Sequence, residues 1–152
     1  MKVVGLDLGG TKIAAGVFDG KRLLSKVVVP TPKEGGERVA EALAEAAERA
    51  EREAGVRGEA IGLGTPGPLD FRRGVIRFAP NIPGVQDFPI RRILEEATGR
   101  PVFLENDANA GLRKFRYCGA EARAAVELIL IEGGGHVWPG ASPRPLQRLF
   151  GA

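Results

Sequence analysis

The chain has 152 residues, enough for one domain with a buried core, and its 43% apolar content is that of a globular protein. A net charge of +3, drawn from 22 basic and 19 acidic residues, with only 6% aromatics, gives no ground for a nucleic-acid partner. One cysteine and one histidine exclude an internal disulfide and a Cys/His zinc site within the chain, and no apolar run is long enough to span a bilayer. With no signal-peptide pattern ahead of the first apolar run, the expectation is a soluble, cytoplasmic protein with no membrane partner.

Val3 to Asp7, Ile13 to Phe18 and Leu23 to Val29 read as strands, the last two made antiparallel by the Asp19-Gly20 turn. Between the first two lies Gly5-Leu6-Asp7-Leu8-Gly9-Gly10-Thr11-Lys12. Its glycines leave backbone N–H groups uncovered for an anion, and Thr11 and Lys12 add a hydroxyl and a positive charge. Asp7 suits a hydrated magnesium ion beside a phosphate. A strand rather than a helix follows, so this is not a Walker loop; read alone, the stretch also fits an ordinary Gly-Gly hairpin.

Pro30 and Pro32 end this segment, and a helix follows over Glu37 to Ala54. Val39, Leu43, Ala46, Ala50 and Ala54 recur at helical spacing, Glu45–Arg49 and Glu48–Arg52 are i,i+4 pairs on the wet side, and Gly55 is the stop. Ala60 to Leu63 is a short strand running into the stiff loop Gly64-Thr65-Pro66-Gly67-Pro68. Asp70 to Phe78 reads as a hairpin around Arg73-Gly74, and Ala79-Pro80-Asn81-Ile82-Pro83-Gly84 as a second rigid loop. Pro89 to Ala97 is a short helix stopped by Gly99, and Pro101 to Leu104 is a strand leading into Glu105-Asn106-Asp107-Ala108-Asn109-Ala110. Ala108 to Tyr117 can be helical. This order predicts an α/β domain with a mixed sheet flanked by helices. Asp7, Gly64-Thr65 and Asn106-Asp107 all follow strands, so they meet at one edge if those strands run parallel.

Taken together, these loops resemble the N-terminal lobe of the ROK family, which contains bacterial glucokinases, other sugar kinases and sugar-responsive repressors. The carrying segments are Gly5 to Lys12, Gly62 to Pro68, Ala79 to Gly84 and Glu105 to Ala110, in the family's order. The resemblance implies an actin-like, ribonuclease-H-like ATPase lobe over residues 1–117, with ATP and Mg²⁺ as cofactors and a hexose as substrate. It implies that Asp7, Gly9, Gly10, Thr11 and Lys12 approach the ATP phosphates and the metal. Asn106 and Asp107 match the sugar-binding pair, with Asp107 as the general base on the sugar's primary hydroxyl. Gly64, Thr65 and Asn81 would line the same pocket, with Glu105 beside them. Each also has a structural reading: Asp107 or Glu105 as a helix cap, Asn81 as a turn residue, Thr65-Pro66-Gly67 as a plain turn.

After Ala110 the motif resemblance gives out. Val126 to Ile131 reads as a strand, Gly133-Gly134-Gly135 as a glycine run, and Glu132 and His136 have the residue types of a family sugar contact without its spacing. Residues 126–140 also resemble the C-terminal segment of polyhydroxybutyrate-depolymerase-type esterases, whose histidine is a triad base. Ser25 and Ser142 are the chain's serines and neither sits in a Gly-x-Ser-x-Gly elbow, so acyl transfer is not expected. Residues 118–152 are read as a divergent tail, a fused fragment or the product of a shifted frame. The expectation is therefore a glucokinase-like lineage, ATP-dependent in its chemistry, with the second lobe missing and activity of the chain by itself in doubt. The alternative is a non-catalytic sugar-binding or regulatory module related to the repressor branch. With the first strand starting beside Met1, a preceding DNA-binding segment is not expected. An exposed half-lobe face would favour a homodimer or poor solubility.

Overall fold

The computed structural model describes residues 2–20 and 22–106. The predicted helix over 108–117, the strand over 126–131, Asp107, Cys118 and His136 lie outside the described residues.

Strands β1 (Lys2–Leu8), β2 (Lys12–Asp19) and β3 (Arg22–Pro30) form an antiparallel meander, and helix α1 (Gly36–Ala54) carries the chain back to β4 (Ala60–Thr65). Three short strands follow, β5 (Leu69–Asp70), β6 (Val75–Phe78) and β7 (Gln86–Phe88), then helix α2 (Ile90–Thr98) and β8 (Val102–Asn106). The main sheet has the order β3-β2-β1-β4-β8: β1 pairs antiparallel with β2 and parallel with β4, and β4 pairs parallel with β8. It is the mixed sheet that the alternation of elements predicts. The short strands make a separate antiparallel sheet, β5-β6-β7.

Strand alternation sorts the apolar residues by face. Val4, Leu6, Leu8, Ile13, Ala15, Val17, Ile61, Leu63, Val102 and Leu104 join Val39, Leu43, Ala46, Ala47 and Ala50 of α1 and Ile90 and Leu94 of α2 in the main core. Val3, Ala14, Phe18 and Ala60 form a smaller buried cluster on the opposite face. The alanine stripe of α1 lets the helix lie close on the sheet, and Ser25 Oγ donates to Ala50 O (2.6 Å) across that contact. Gly36 begins the helix hard against the Phe88 ring, where a Cβ would stand 2.8 Å from the ring carbons. Gly55 ends it in the left-handed conformation, its N–H on Glu51 O at 2.9 Å. On the wet side Arg52 pairs with Glu48 (3.6 Å) as the spacing predicts, while Arg49 pairs with Glu53 (3.9 Å).

One strand is not anticipated by the sequence. Gln86-Asp87-Phe88 is too short to show an alternation, and Asp87 sits at φ 47°, outside the strand region, in an ion pair with Arg77 (3.1 Å) across the hairpin. Asp is among the residues that tolerate that conformation.

At the edge where β4 and β8 begin, Arg100 Nη1 reaches Glu51 Oε2 (2.6 Å) and Gly58 O (3.1 Å), and Glu51 Oε2 also accepts from Gly58 N–H (2.7 Å). This largely buried pair ties the end of α1 to the residues just before β4 and β8. The groove between α1 and α2, lined by Glu51, Arg57, Thr98 and Arg100 among others, lies at this same edge. No helix of the described residues is long and apolar enough to cross a membrane.

Leu43 is fully buried under the sheet. Leu43→Ala removes its methyl groups from a close-packed site and is expected to destabilise the fold by about 3 kcal/mol, read from the urea midpoint at unchanged slope.

Candidate functional site: the rim formed by the ends of β1, β4 and β8

Parallel pairing aligns the C-terminal ends of three neighbouring strands. Asp7 is opposite Gly64, Gly64 is opposite Glu105, and Thr65 is opposite Asn106. With strands about 4.8 Å apart, Asp7 and Glu105 stand about 10 Å apart at their Cα atoms. The residue between them, Gly64, has no side chain to fill the gap. Both carboxylates are buried, Asp7 at 3% and Glu105 at 0% exposure. By alternation they share the face opposite α1, while Thr65 and Asn106 fall on the α1 face. Glu105 is thus a strand residue of the row, and its Oε1 accepts from Asn106 N–H (3.2 Å).

The loop between β1 and β2 is a tight turn, closed by Gly9 N–H on Lys12 O (3.0 Å). Thr31, just after β3, fixes it from outside: its Oγ1 donates to Gly9 O (2.7 Å) and its N–H to Thr11 O (2.9 Å). Thr11 and Lys12 are exposed at the tip. Gly10 owes its identity to a close approach, because a Cβ there would stand 2.9 Å from Asn81 Cβ. Lys33 Nζ donates to Gly10 O and lies 3.4 Å from Asn81 O.

Asn81 rides at the exposed tip of a turn closed by Ile82 N–H on Ala79 O (3.1 Å) and anchored by the buried side chain of Ile82. The loop after β4 is pinned as tightly. Thr65 is fully buried with Oγ1 on Pro66 O (3.1 Å), and Asn106 Nδ2 donates to Gly67 O. Gly67 has φ +80°, and a Cβ there would lie 1.8 Å from Phe78 O.

The predicted residues that the structure describes therefore lie in two groups at one rim: Asp7, Gly64 and Glu105 in a row with Thr65 and Asn106 beside it, and the turn of Gly9, Gly10, Thr11 and Lys12, which meets Asn81 at Gly10. Thr31 and Lys33 are the residues that the sequence reading missed. Their signal was their place, a hydroxyl between two prolines and an ammonium after the second, directly after the strand that pairs with β2, where Pro30 is opposite Lys12. Among the described residues, no group of three or more His, Cys, Asp or Glu side chains could hold a metal ion.

The sequence model of the ROK family matches residues 3–135. The chain belongs to the ROK family. Its fold is that of the ROK sugar kinases, an actin-like ATPase lobe. It superposes on the crystal structure of a ROK hexokinase from Thermus thermophilus with a TM-score of 0.71 and 97% identity, over 73% of this chain and 37% of that one. A ROK glucokinase from Streptomyces griseus, solved in complex with glucose and AMPPNP, gives a TM-score of 0.67 and 41% identity over 73% of this chain and 35% of that one. In sequence, a glucokinase of Thermotoga maritima is 38% identical over 127 residues, 79% of this chain and 38% of that protein. This ROK chain thus spans less than half the length of the relatives it matches.

The ROK match continues past Ala110, where the motif resemblance ended, and takes in the esterase-like stretch as far as residue 135. The esterase resemblance of residues 126–140 is not borne out. Gly67 is the glycine of this ROK rim whose replacement costs most. Gly67→Ala meets both a left-handed backbone and a carbonyl oxygen, and is expected to destabilise the fold by at least about 2 kcal/mol in chemical denaturation.

Proposed function

We propose that this chain carries the sugar- and phosphate-facing half of an ATP-dependent hexose kinase of the glucokinase type. The observation that supports this most directly is the shared rim, where an anion-type glycine turn lies in contact with the Asn81 loop and beside the ends of β4 and β8. In this reading the turn of Gly9, Gly10, Thr11 and Lys12 receives the nucleotide phosphates through the backbone N–H groups beyond Gly9, whose own N–H closes the turn, and through a hydroxyl and an ammonium. Gly64, Thr65, Asn81, Glu105 and Asn106 shape the sugar side, with Asn106 also holding the Gly67 loop in place. Asp107, the residue after β8, takes the proton from the sugar's primary hydroxyl as that oxygen attacks the terminal phosphoryl group. A positioned carboxylate is what a weak oxygen nucleophile needs near neutral pH.

In this reading Asp7 would hold Mg²⁺ together with the nucleotide. Asp7 is a hard oxygen ligand at a strand end beside the glycine turn, and magnesium is commonly held by one or two carboxylates together with phosphate oxygens and water. When bound, the ion would supply charge neutralisation on the phosphates. The same reading takes residues 1–117 as the sugar-kinase lobe and 118–152 as a tail of divergent sequence, with the chain acting in the cytoplasm and open to homodimer formation.

The test is thermal unfolding with glucose, mannose and N-acetylglucosamine in turn. At least one hexose is expected to raise the midpoint by about 5 °C at a hundredfold excess over its Kd. Asp107→Asn keeps a hydrogen-bonding side chain of the same shape and should retain that shift. It should lower any hexose-dependent ADP formation about a thousandfold in a coupled assay. No shift with any hexose overturns the proposal.

A further inference from the structure

We propose that Lys33 is a positioning residue that couples the phosphate side of the rim to its sugar side; this rests on the kinase reading above. Lys33 follows Pro30-Thr31-Pro32, a stiff lead whose middle residue is bonded twice to the glycine turn, through Gly9 O and Thr11 O. Its backbone is thereby held beside that turn. From there its ammonium bridges two loops that are far apart in sequence, donating to Gly10 O and lying 3.4 Å from Asn81 O. Independently of Lys33, the two loops touch at the bare Cα of Gly10, so a displacement of one is felt by the other.

An exposed ammonium on two carbonyls contributes little to global stability, because its charge stays largely solvated. Its effect is on relative position. A sugar that orders the Asn81 loop brings Asn81 O into register with Lys33, and Lys33 in turn holds Gly10 O. The glycine turn is then ordered before the nucleotide arrives, so the nucleotide meets a smaller entropic cost. By linkage the nucleotide tightens sugar binding by the same factor. The ammonium has three donors and needs two for this bridge. Lys33→Met keeps the stem and loses both bonds, whereas Lys33→Arg keeps donors in reach of both carbonyls.

Two measurements on the full chain test this. Amide hydrogen exchange should show residues 9–11 and 79–82 losing protection together in Lys33→Met and regaining it in Lys33→Arg. Titration calorimetry of glucose with and without magnesium AMPPNP should show the nucleotide tightening glucose about fivefold in the parent and the Arg variant, and less than twofold in Lys33→Met. Unchanged exchange in Lys33→Met overturns the bridge and leaves the kinase reading standing. A changed exchange with undiminished coupling overturns the coupling role. A parent chain that binds neither ligand overturns the kinase reading and this role with it, whatever the exchange shows.

Discussion

Everything at the rim depends on the in-register parallel pairing of β1, β4 and β8. Parallel strands cannot be joined by tight turns, so each needs a crossover, and α1 and α2 supply these on a common face. The crossovers return the chain to the same starting edge, and the ends of all three strands then fall at the other. Because Asp7, Gly64 and Glu105 occupy one row, a shift of one residue in either pairing would move a carboxylate to the opposite face. The buried apolar residues on both faces make such a slip costly, so the core that stabilises the sheet also sets the positions of the polar ends.

The loops beyond those ends are held by backbone contacts more than by charge. Thr31 clamps the first turn, Gly10 packs on Asn81, Gly67 is wedged against Phe78 O, and Asn106 grips Gly67 O. Glycine acts here in two different ways. At Gly67 both the φ and the missing Cβ matter, whereas at Gly10 the missing Cβ alone allows two loops to meet. Such a rim presents backbone N–H groups and side-chain amides, which suit the recognition of phosphate and hydroxyl groups.

Much of this was legible in the sequence because the signals were local. Periodicity located α1, with Gly55 marking its end, and Pro89 and Gly99 bracketed α2. The Asp19-Gly20 turn gave the β2–β3 hairpin, and the polar clusters after apolar runs gave the strand ends that converge. What was not legible depended on contacts between distant residues. β7 is three residues long with a left-handed Asp87 in the middle, and it is a strand only because β6 lies beside it. Thr31 and Lys33 look like linker residues until β3 brings them alongside the glycine turn. Glu105 reads as the first residue past the strand Pro101 to Leu104 until its pairing with Gly64 puts it inside β8. The role of Asp107 rests on resemblance, since it lies beyond the described residues.

The ion pair of Glu51 and Arg100 sits at the far edge from this chemistry, fastening the end of α1 to the beginnings of β4 and β8. Its location divides the sheet into a tethered end and a working end. Opening a loop at the working end breaks a few backbone bonds and leaves the tether and the apolar core intact, so it is a subglobal event well below the free energy of complete unfolding. Turns such as Gly9 to Thr11 can therefore adjust around an incoming molecule while the scaffold beneath stays in place.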